Sequence, residues 1–538
     1  MKNKLHIFET AVFCTILVFW LVPVWKLDFF VTGDGPCHLF NSKILLDWAQ
    51  GVNKDFYKPF YFLNTNFDPN WLFNLITMPL LAVFSPGTTE KIFFTLYILG
   101  FGLGFRFLVS AINPQARFIS SLGLLFCCHK LLITGFLNNS MSLALWFWVA
   151  GWWWRTRDDQ GKGTILVTAL LLLLQFSAHP MGLSFAGMTL AALMAGLFFY
   201  EFRTDGWQQS RSAFVRRSIS LVLASLPMLV LFAEFWMRRE WSPDTNTPDI
   251  LIILENIGKL TTLVTLNSTE RDLASATAIA CVVFFLGAVV LRLREPRLVP
   301  ADGLLLFIAL AMYTVLNPPS SISGGLDVPF RMGMIPYFAL LFWSSTANFP
   351  AWAKVTGLLT ALVLAGGFAT ARMPIQQNAS DYAKEVFSAN EHIGNPATIL
   401  TLNYDWAGQT PEGKTIANKI WLFNHVDCYL GTTRSAAISD NYEANYWYFP
   451  TIARSAPNMY TATDKDGVNF DHRPPRADIL NYPQRSGQNL DYVLLLSYRD
   501  EFKDHPYTQE IFSQLGQAYD KTFVSEHGRA ILYKRKGL

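Results

Sequence analysis

Apolar residues in this chain come in long unbroken runs separated by short polar connectors, and the runs stop about two thirds of the way along. "TILVTALLLLLQF" (Thr164–Phe176) and "ATAIACVVFFLGAVVL" (Ala276–Leu291) are two of them. Runs approaching about 20 residues match a hydrocarbon core about 30 Å thick. The pattern therefore predicts a polytopic, α-helical membrane protein. The first run, Ile7–Trp25, leaves through Val22, Pro23, Val24 and Trp25. A cleaved leader would carry small residues there, so an uncleaved first span with Lys2 and Lys4 inside is expected.

Basic connectors set the threading. Arg155, Arg157 and Lys162 form one; Arg203, Arg211, Arg216 and Arg217 a second; Arg292, Arg294 and Arg297 a third. By the positive-inside rule all three face the cytoplasm. Ten further spans follow the first: Lys91–Ile112, Phe118–Thr134, Asn139–Trp154, Thr164–Ala178, Gly182–Tyr200, Ser218–Trp236, Ala274–Leu291, Gly303–Leu316, Arg331–Trp343 and Trp352–Ala371. This parity leaves "WLFNLITMPLLAVF" (Trp71–Phe84) on the outer side. Its length, about 14 residues, and its Pro79 suit an interfacial or re-entrant helix. The expected membrane domain is 1–371, with a long first outer loop, 26–90, holding juxtamembrane helices. Two further outer loops are expected at Met237–Leu273 and at "NPPSSISGGLDVPF" (Asn317–Phe330). Arg238 and Arg239 fall outside despite their charge, as long loops permit.

From Arg372 the composition turns to Asn, Asp, Tyr and Pro. "NPATILTLNYD", "LDYVLLLSYRD" and "GRAILYKRK" read as strands, and "SDYAKEVFSANEHI" and "PYTQEIFSQLGQAY" as helices. A soluble α/β domain over 372–538, outside the membrane, is predicted. Bulk numbers agree: 51% of the 538 residues are hydrophobic and only 15% charged, against about 25% charged in soluble domains. A net charge of +3 gives no case for a nucleic-acid partner. The six cysteines lack metal-ligand spacing. Cys127 and Cys128 read as small buried thiols, while Cys37 and Cys428 share one compartment under this threading, their pairing left open.

Candidate chemistry concentrates in "FFVTGDGPCHLFNSKIL" (Phe29–Leu45). Gly33 and Gly35 flank Asp34, and Pro36 opens a helix expected to lie along the membrane surface. Taken alone, Asp34 is a helix cap or a solvated turn residue. His38 follows four residues later. Asp68, in "NFDPNWLF", either assists Asp34, binds a metal or closes an Asp-Pro turn. His179, before Pro180, either lines a cavity or ends a span. His129 and Lys130 interrupt an apolar run, and Asn138 and Asn139 sit at an outer turn. "FNHVDCYLG" and "NYEANYWYFP" gather aromatic residues that either bind an acceptor or pack against the membrane domain.

An acidic residue soon after the first span, juxtamembrane helices, a large bundle and an outer α/β domain together resemble the GT-C superfamily of membrane glycosyltransferases. Relatives in that superfamily include aminoarabinose transferases, protein mannosyltransferases and the catalytic subunit of oligosaccharyltransferase. "GDGPCHLFNSKIL" is similar to the family's Asp-x-x-x-(Tyr/His) motif, with Asp34 and His38 at its two positions. The second acid often found directly after that aspartate is replaced by Gly35. "LDVPFRMGMIPYFALL" (Leu326–Leu341) resembles a late segment of the family through Arg331 and Pro336. The resemblance implies transfer of a sugar from a polyprenyl-phosphate-linked donor to a glycan, lipid or protein acceptor at the extracytoplasmic face of a bacterial inner membrane. Asp34 would be the general base, with His38 orienting it or touching the acceptor. Arg331, then Arg238 and Arg239, would meet the leaving phosphate; snorkelling to lipid headgroups is the alternative for all three. A divalent metal would suit the phosphate, but no metal motif is present. A transporter or flippase of a lipid-linked saccharide, or a non-catalytic envelope assembly protein, are the competing expectations. The matching halves common in transporters are not seen.

Overall fold

The computed structural model describes residues 2–239, 249–317 and 331–538. Most of the expected outer loop Asn317–Phe330, and residues 240–248 of the loop Met237–Leu273, lie outside the described residues. Among the described residues, six helices are long and apolar enough to cross a membrane: Lys4–Lys26, Pro86–Ile112, Pro180–Asp205, Trp207–Met237, Ser268–Arg294 and Ala351–His392. Such helices satisfy their own backbone polar groups, which a hydrocarbon environment requires. Shorter apolar helical stretches accompany them at Leu72–Leu81, Ile119–Thr134, Lys162–Ala178, Pro300–Leu316 and Ile335–Ser344.

The stretch expected as one continuous span over Phe118–Thr134 is broken. It forms the helix Ile119–Gly123, the 3-10 turn Leu124–Phe126 and the helix Lys130–Thr134. The backbone groups that a continuous helix would pair are taken by side chains. The Cys127 carbonyl accepts from the Tyr97 hydroxyl at 2.7 Å, and the Cys128 carbonyl accepts from Arg372 Nη1 at 2.7 Å. The Leu132 amide donates to His129 Nδ1 at 3.2 Å, while His129 Nε2 lies 3.1 Å from the Tyr97 hydroxyl. Both nitrogens of this buried histidine are thereby occupied in structure.

The chain divides into two compact units. One comprises Met1–Val22, Thr95–Leu132 and Leu137–Arg372; the other comprises Pro23–Phe94, Ile133–Phe136 and Met373–Leu538. The first loop groups with the C-terminal residues in the second unit. Strand pairing is one reason. β1 (Tyr61–Leu63) runs antiparallel to β4 (Thr451–Ala453), with Phe62 opposite Ile452.

A five-stranded sheet organises the second unit in the order β3-β2-β5-β7-β6. β2 (Ala397–Asn403) lies parallel to β3 (Ala436–Ile438) and to β5 (Tyr492–Leu496). β7 (Ala530–Arg535) is antiparallel to both β5 and β6 (Tyr519–Val524). β2 and β5 are buried along their whole length, which is why they read as continuous apolar runs rather than alternating ones. β6, "YDKTFV", is mostly exposed and carries charge, as edge strands do.

The helix Gly35–Gln50 departs from expectation. It does not present a solvated polar face; Asn41, Ser42 and Asp47 are buried within the second unit. Each is hydrogen-bonded there: Asn41 to Asn441 and Glu443, Ser42 to Thr77, and Asp47 to Tyr57 and Ser435. Buried polar groups need such partners.

The helical unit has a polar anchor of its own. Arg372 and Glu270 are buried and meet at 2.8 Å. Glu270 also accepts from the amides of Thr265 and Leu266, and Arg372 Nη2 donates to the Leu263 carbonyl. Breaking a buried pair strands one charge, at a cost of about 3–5 kcal/mol. Arg372→Leu is therefore expected to lower the thermal unfolding midpoint of the detergent-solubilised protein strongly. Adding Glu270→Gln should restore part of the loss. A double variant no better than the single would show that the stranded charge is not the cause.

Candidate active site

The turn that carries Asp34 is fixed by close backbone packing. Gly33 N donates to the Ile133 carbonyl at 3.0 Å, and Asp34 N donates to the Thr134 carbonyl at 2.9 Å. A Cβ on Gly33 would lie 2.5 Å from the Thr134 oxygen. A Cβ on Gly35 would lie 2.2 Å from Thr32 Oγ1. Gly135 has φ +102°, and a Cβ there would lie 2.3 Å from Asp34 N. A side chain at position 35 would require Thr32 Oγ1 to shift.

Asp34 precedes the helix Gly35–Gln50, yet its side chain makes no capping hydrogen bond. Pro36 in the first turn already removes one of the amides that a cap would serve. The carboxylate instead faces residues of the C-terminal region. Asp34 Oδ1 lies 3.8 Å from His425 Nε2, and the Tyr442 hydroxyl hydrogen-bonds the carboxylate. His425 Nδ1 lies 3.1 Å from Asp440 Oδ1, and the Tyr442 ring stacks on the imidazole at 4.5 Å. Beside this set, His38 Nδ1 meets Glu443 Oε1 at 2.5 Å, and His38 Nε2 donates to the Gly135 carbonyl at 3.1 Å. Asp34 thus has two buried histidine–carboxylate pairs as neighbours.

The charges follow from this geometry. Burial alone would push the His425 imidazole down; the Asp440 charge and hydrogen bond, with Asp34 and Asp427, outweigh it and raise the ring to about 9. The protonated ring requires the Asn424 side-chain oxygen, which otherwise lacks a partner, to turn to Nε2; the Asn424 amide group lies 2.9 Å away. His38 is also raised: burial opposes its charge, but Glu443 and then Asp34 favour it. Burial, and next the Asp440 charge, lift Asp427 to about 8. Asp427 accepts a hydrogen bond from Thr401 Oγ1 at 2.5 Å. Cys37 and Cys428 are buried free thiols in the same neighbourhood. Among the described residues, no group of three or more His, Cys, Asp or Glu side chains is arranged to hold a metal ion.

The other sequence candidates make contacts of their own. Asp68 is fully buried and accepts from Asn64 Nδ2 at 2.9 Å within its own turn. His179 caps the helix Pro180–Asp205 by accepting from Met181 N at 3.1 Å, and it feels the charge of Arg331. Arg331, Arg238 and Arg239 belong to the helical unit, while Asp34, His38 and Asp68 belong to the other. Arg238 reaches Glu234 at 4.0 Å, and the Arg239 guanidinium lies over Trp236. His425, Asp427, Asp440, Tyr442 and Glu443 were not singled out from sequence. A signal was present: His425, Asp427, Tyr442 and Glu443 are among the polar residues inside the two aromatic segments "FNHVDCYLG" and "NYEANYWYFP".

Gly135→Ala is expected to cost more than about 1 kcal/mol, since both its φ and its contact with Asp34 exclude a Cβ. Gly100→Ala, on a helix with open space around it, is expected to be neutral or slightly stabilising in the same thermal unfolding assay. A pH dependence follows as well. His425 is raised above its unfolded value, so its stabilisation is complete below about pH 6.5 and is lost as pH rises through about 9. The unfolding midpoint should fall between pH 7 and pH 10, and His425→Asn should flatten that fall. No protein-family model matches the chain, and no curated protein matches it in sequence.

Proposed function

We propose that this chain is a GT-C-like glycosyltransferase. It moves a sugar from a polyprenyl-phosphate-linked donor to an acceptor at the extracytoplasmic face of the membrane, with Asp34 as general base. The observation that carries the reading is the Asp34 carboxylate itself. It follows the first apolar helix, leaves its helix uncapped and turns instead into a buried acid–histidine cluster. A structural cap has no use for that arrangement, whereas a base must be held in place and ionised.

The chemistry is a displacement at the anomeric carbon. The acceptor hydroxyl gives its proton to Asp34 as its oxygen attacks, and the bond from the anomeric carbon to the phosphate oxygen breaks with inversion. The His425 and His38 imidazolium rings offset the cost of burying the Asp34 charge and, held by Asp440 and Glu443, act as positioning groups. Arg331 is the first choice for the departing phosphate, with Arg238 and Arg239 after it. Eleven spans, and a C-terminal domain outside a bacterial inner membrane, complete the proposal.

Asp34→Asn is expected to reduce sugar transfer by roughly 10²-fold or more while leaving the protein folded in the membrane. Transfer is read by mass analysis of cell-surface glycans in a deletion strain complemented with each variant. Wild-type glycans in the Asp34→Asn strain would remove Asp34 as the base. Unaltered glycans in the deletion strain would remove the transferase reading altogether.

A further inference from the structure

The helix Trp207–Met237 is the least covered of the six long apolar helices. Only 17% of its apolar stretch is buried against protein, compared with 33–56% in the other five. Beside its N-terminal half lies a groove of about 670 Å³, closed on its far side by Gln160 and Ile165. Along one stripe of the helix the lining changes character. Gln208, Arg211, Ser212 and Arg216 come first, with Val215 among them, and Ile219, Ser220 and Leu223 follow. The apolar stripe continues past the groove through the exposed Leu226 and Val230. At 1.5 Å per residue, Gln208 to Leu223 spans about 22 Å.

Three arginines sit at this end, and they are treated differently. Arg217 is buried and bound by Glu201 at 2.7 Å and by Asp158 at 2.5 Å. These acids are consumed there. Arg211 and Arg216 are exposed and make no ion pair among the described residues. The groove therefore offers two uncompensated cations and several neutral polar side chains at one end, with open hydrocarbon at the other.

We propose that this groove binds an anionic phospholipid. The phosphate lies between Arg211 and Arg216, Gln160, Gln208 and Ser212 meet the remaining headgroup oxygens, and one acyl chain runs along Ile219, Leu223, Leu226 and Val230. The order of polar and apolar positions matches that of headgroup and chain, and the charge is complementary. Generic snorkelling needs neither a groove nor the contrast between Arg217 and its two neighbours.

The test is native mass spectrometry of the full chain in detergent, with phosphatidylglycerol, phosphatidylethanolamine or a polyprenyl phosphate added. Phosphatidylglycerol is expected to remain bound to the wild type. Its retention should drop about tenfold in Arg211→Gln/Arg216→Gln, and equally in Ile219→Trp, which fills the groove and keeps both charges. Phosphatidylethanolamine should not be retained. Wild-type retention of phosphatidylglycerol in either variant overturns the proposal. So does equal retention of the two phospholipids, or displacement of phosphatidylglycerol by the polyprenyl phosphate.

Discussion

Two short backbone segments pressed together, 32–35 and 133–135, hold the candidate site in place. Two glycines, Gly33 and Gly135, make the approach feasible, and a Cβ at either would meet the opposing backbone within 2.5 Å. Paired amides and carbonyls stitch the segments at Gly33 and Asp34. One result is that the Asp34 backbone has no freedom to swing its carboxylate back over its own helix. Another is that the Gly135 carbonyl is presented to His38 Nε2, which fixes which ring nitrogen faces Glu443. The orientation of both first-loop candidates descends from a contact between main chains.

A buried carboxylate needs compensation. Removing an ion from water costs several kcal/mol even after relaxation, and a paired charge recovers this only when its remaining polar atoms are also satisfied. The cluster meets part of that condition by layers, while the buried Asp427 Oδ1 and Asn424 Oδ1 have no hydrogen-bond partner among the described residues. His425 is backed by Asp440, which also accepts from Tyr460 at 3.3 Å. His38 is backed by Glu443, whose second oxygen accepts from Asn41, and Asn41 in turn exchanges hydrogen bonds with Asn441. Burial and the neighbouring Asp440 charge raise Asp427, which lowers its tendency to carry a charge there. A soluble turn aspartate would need none of this, so the amount of buried polar structure behind Asp34 argues for a function that demands a fixed carboxylate.

Sequence reasoning found what local pattern controls. β2, β5 and β7 were legible as apolar runs bounded by turn residues, and the helix Pro506–Ala518 by its spacing. The turn at Asp34 and the helix opened by Pro36 were legible from glycine and proline chemistry. The three-residue strands β1, β3 and β4 carry no periodicity and exist through their partners. The break within Phe118–Thr134 was invisible because one of the groups that pairs its freed backbone, Arg372, is more than two hundred residues away. The histidine–acid pairs were hidden for the same reason: Asp34 and His38 meet partners about 400 residues distant, and only the fold brings them together. Burial of the helix Gly35–Gln50 was missed because its polar residues look solvated until Asn441, Glu443 and Ser435 are placed against them.

That long-range pairing changes how the C-terminal residues are understood. As a sequence, 373–538 looks like an appendage fused to a membrane bundle. In the fold it belongs to one unit with the first loop, supplies a strand to pair with β1, and contributes His425, Asp440, Tyr442 and Glu443 around Asp34. A first loop deprived of these residues would leave Asn41 without Asn441 and Glu443, Asp47 without Ser435 and His38 without Glu443, on a helix built for an interior. The loop's sequence makes sense only in the presence of the C-terminal unit. The acid in its Gly-Asp-Gly turn therefore belongs to a polar cluster whose other members, His425, Asp440 and Tyr442, come from the C-terminal part of the sequence.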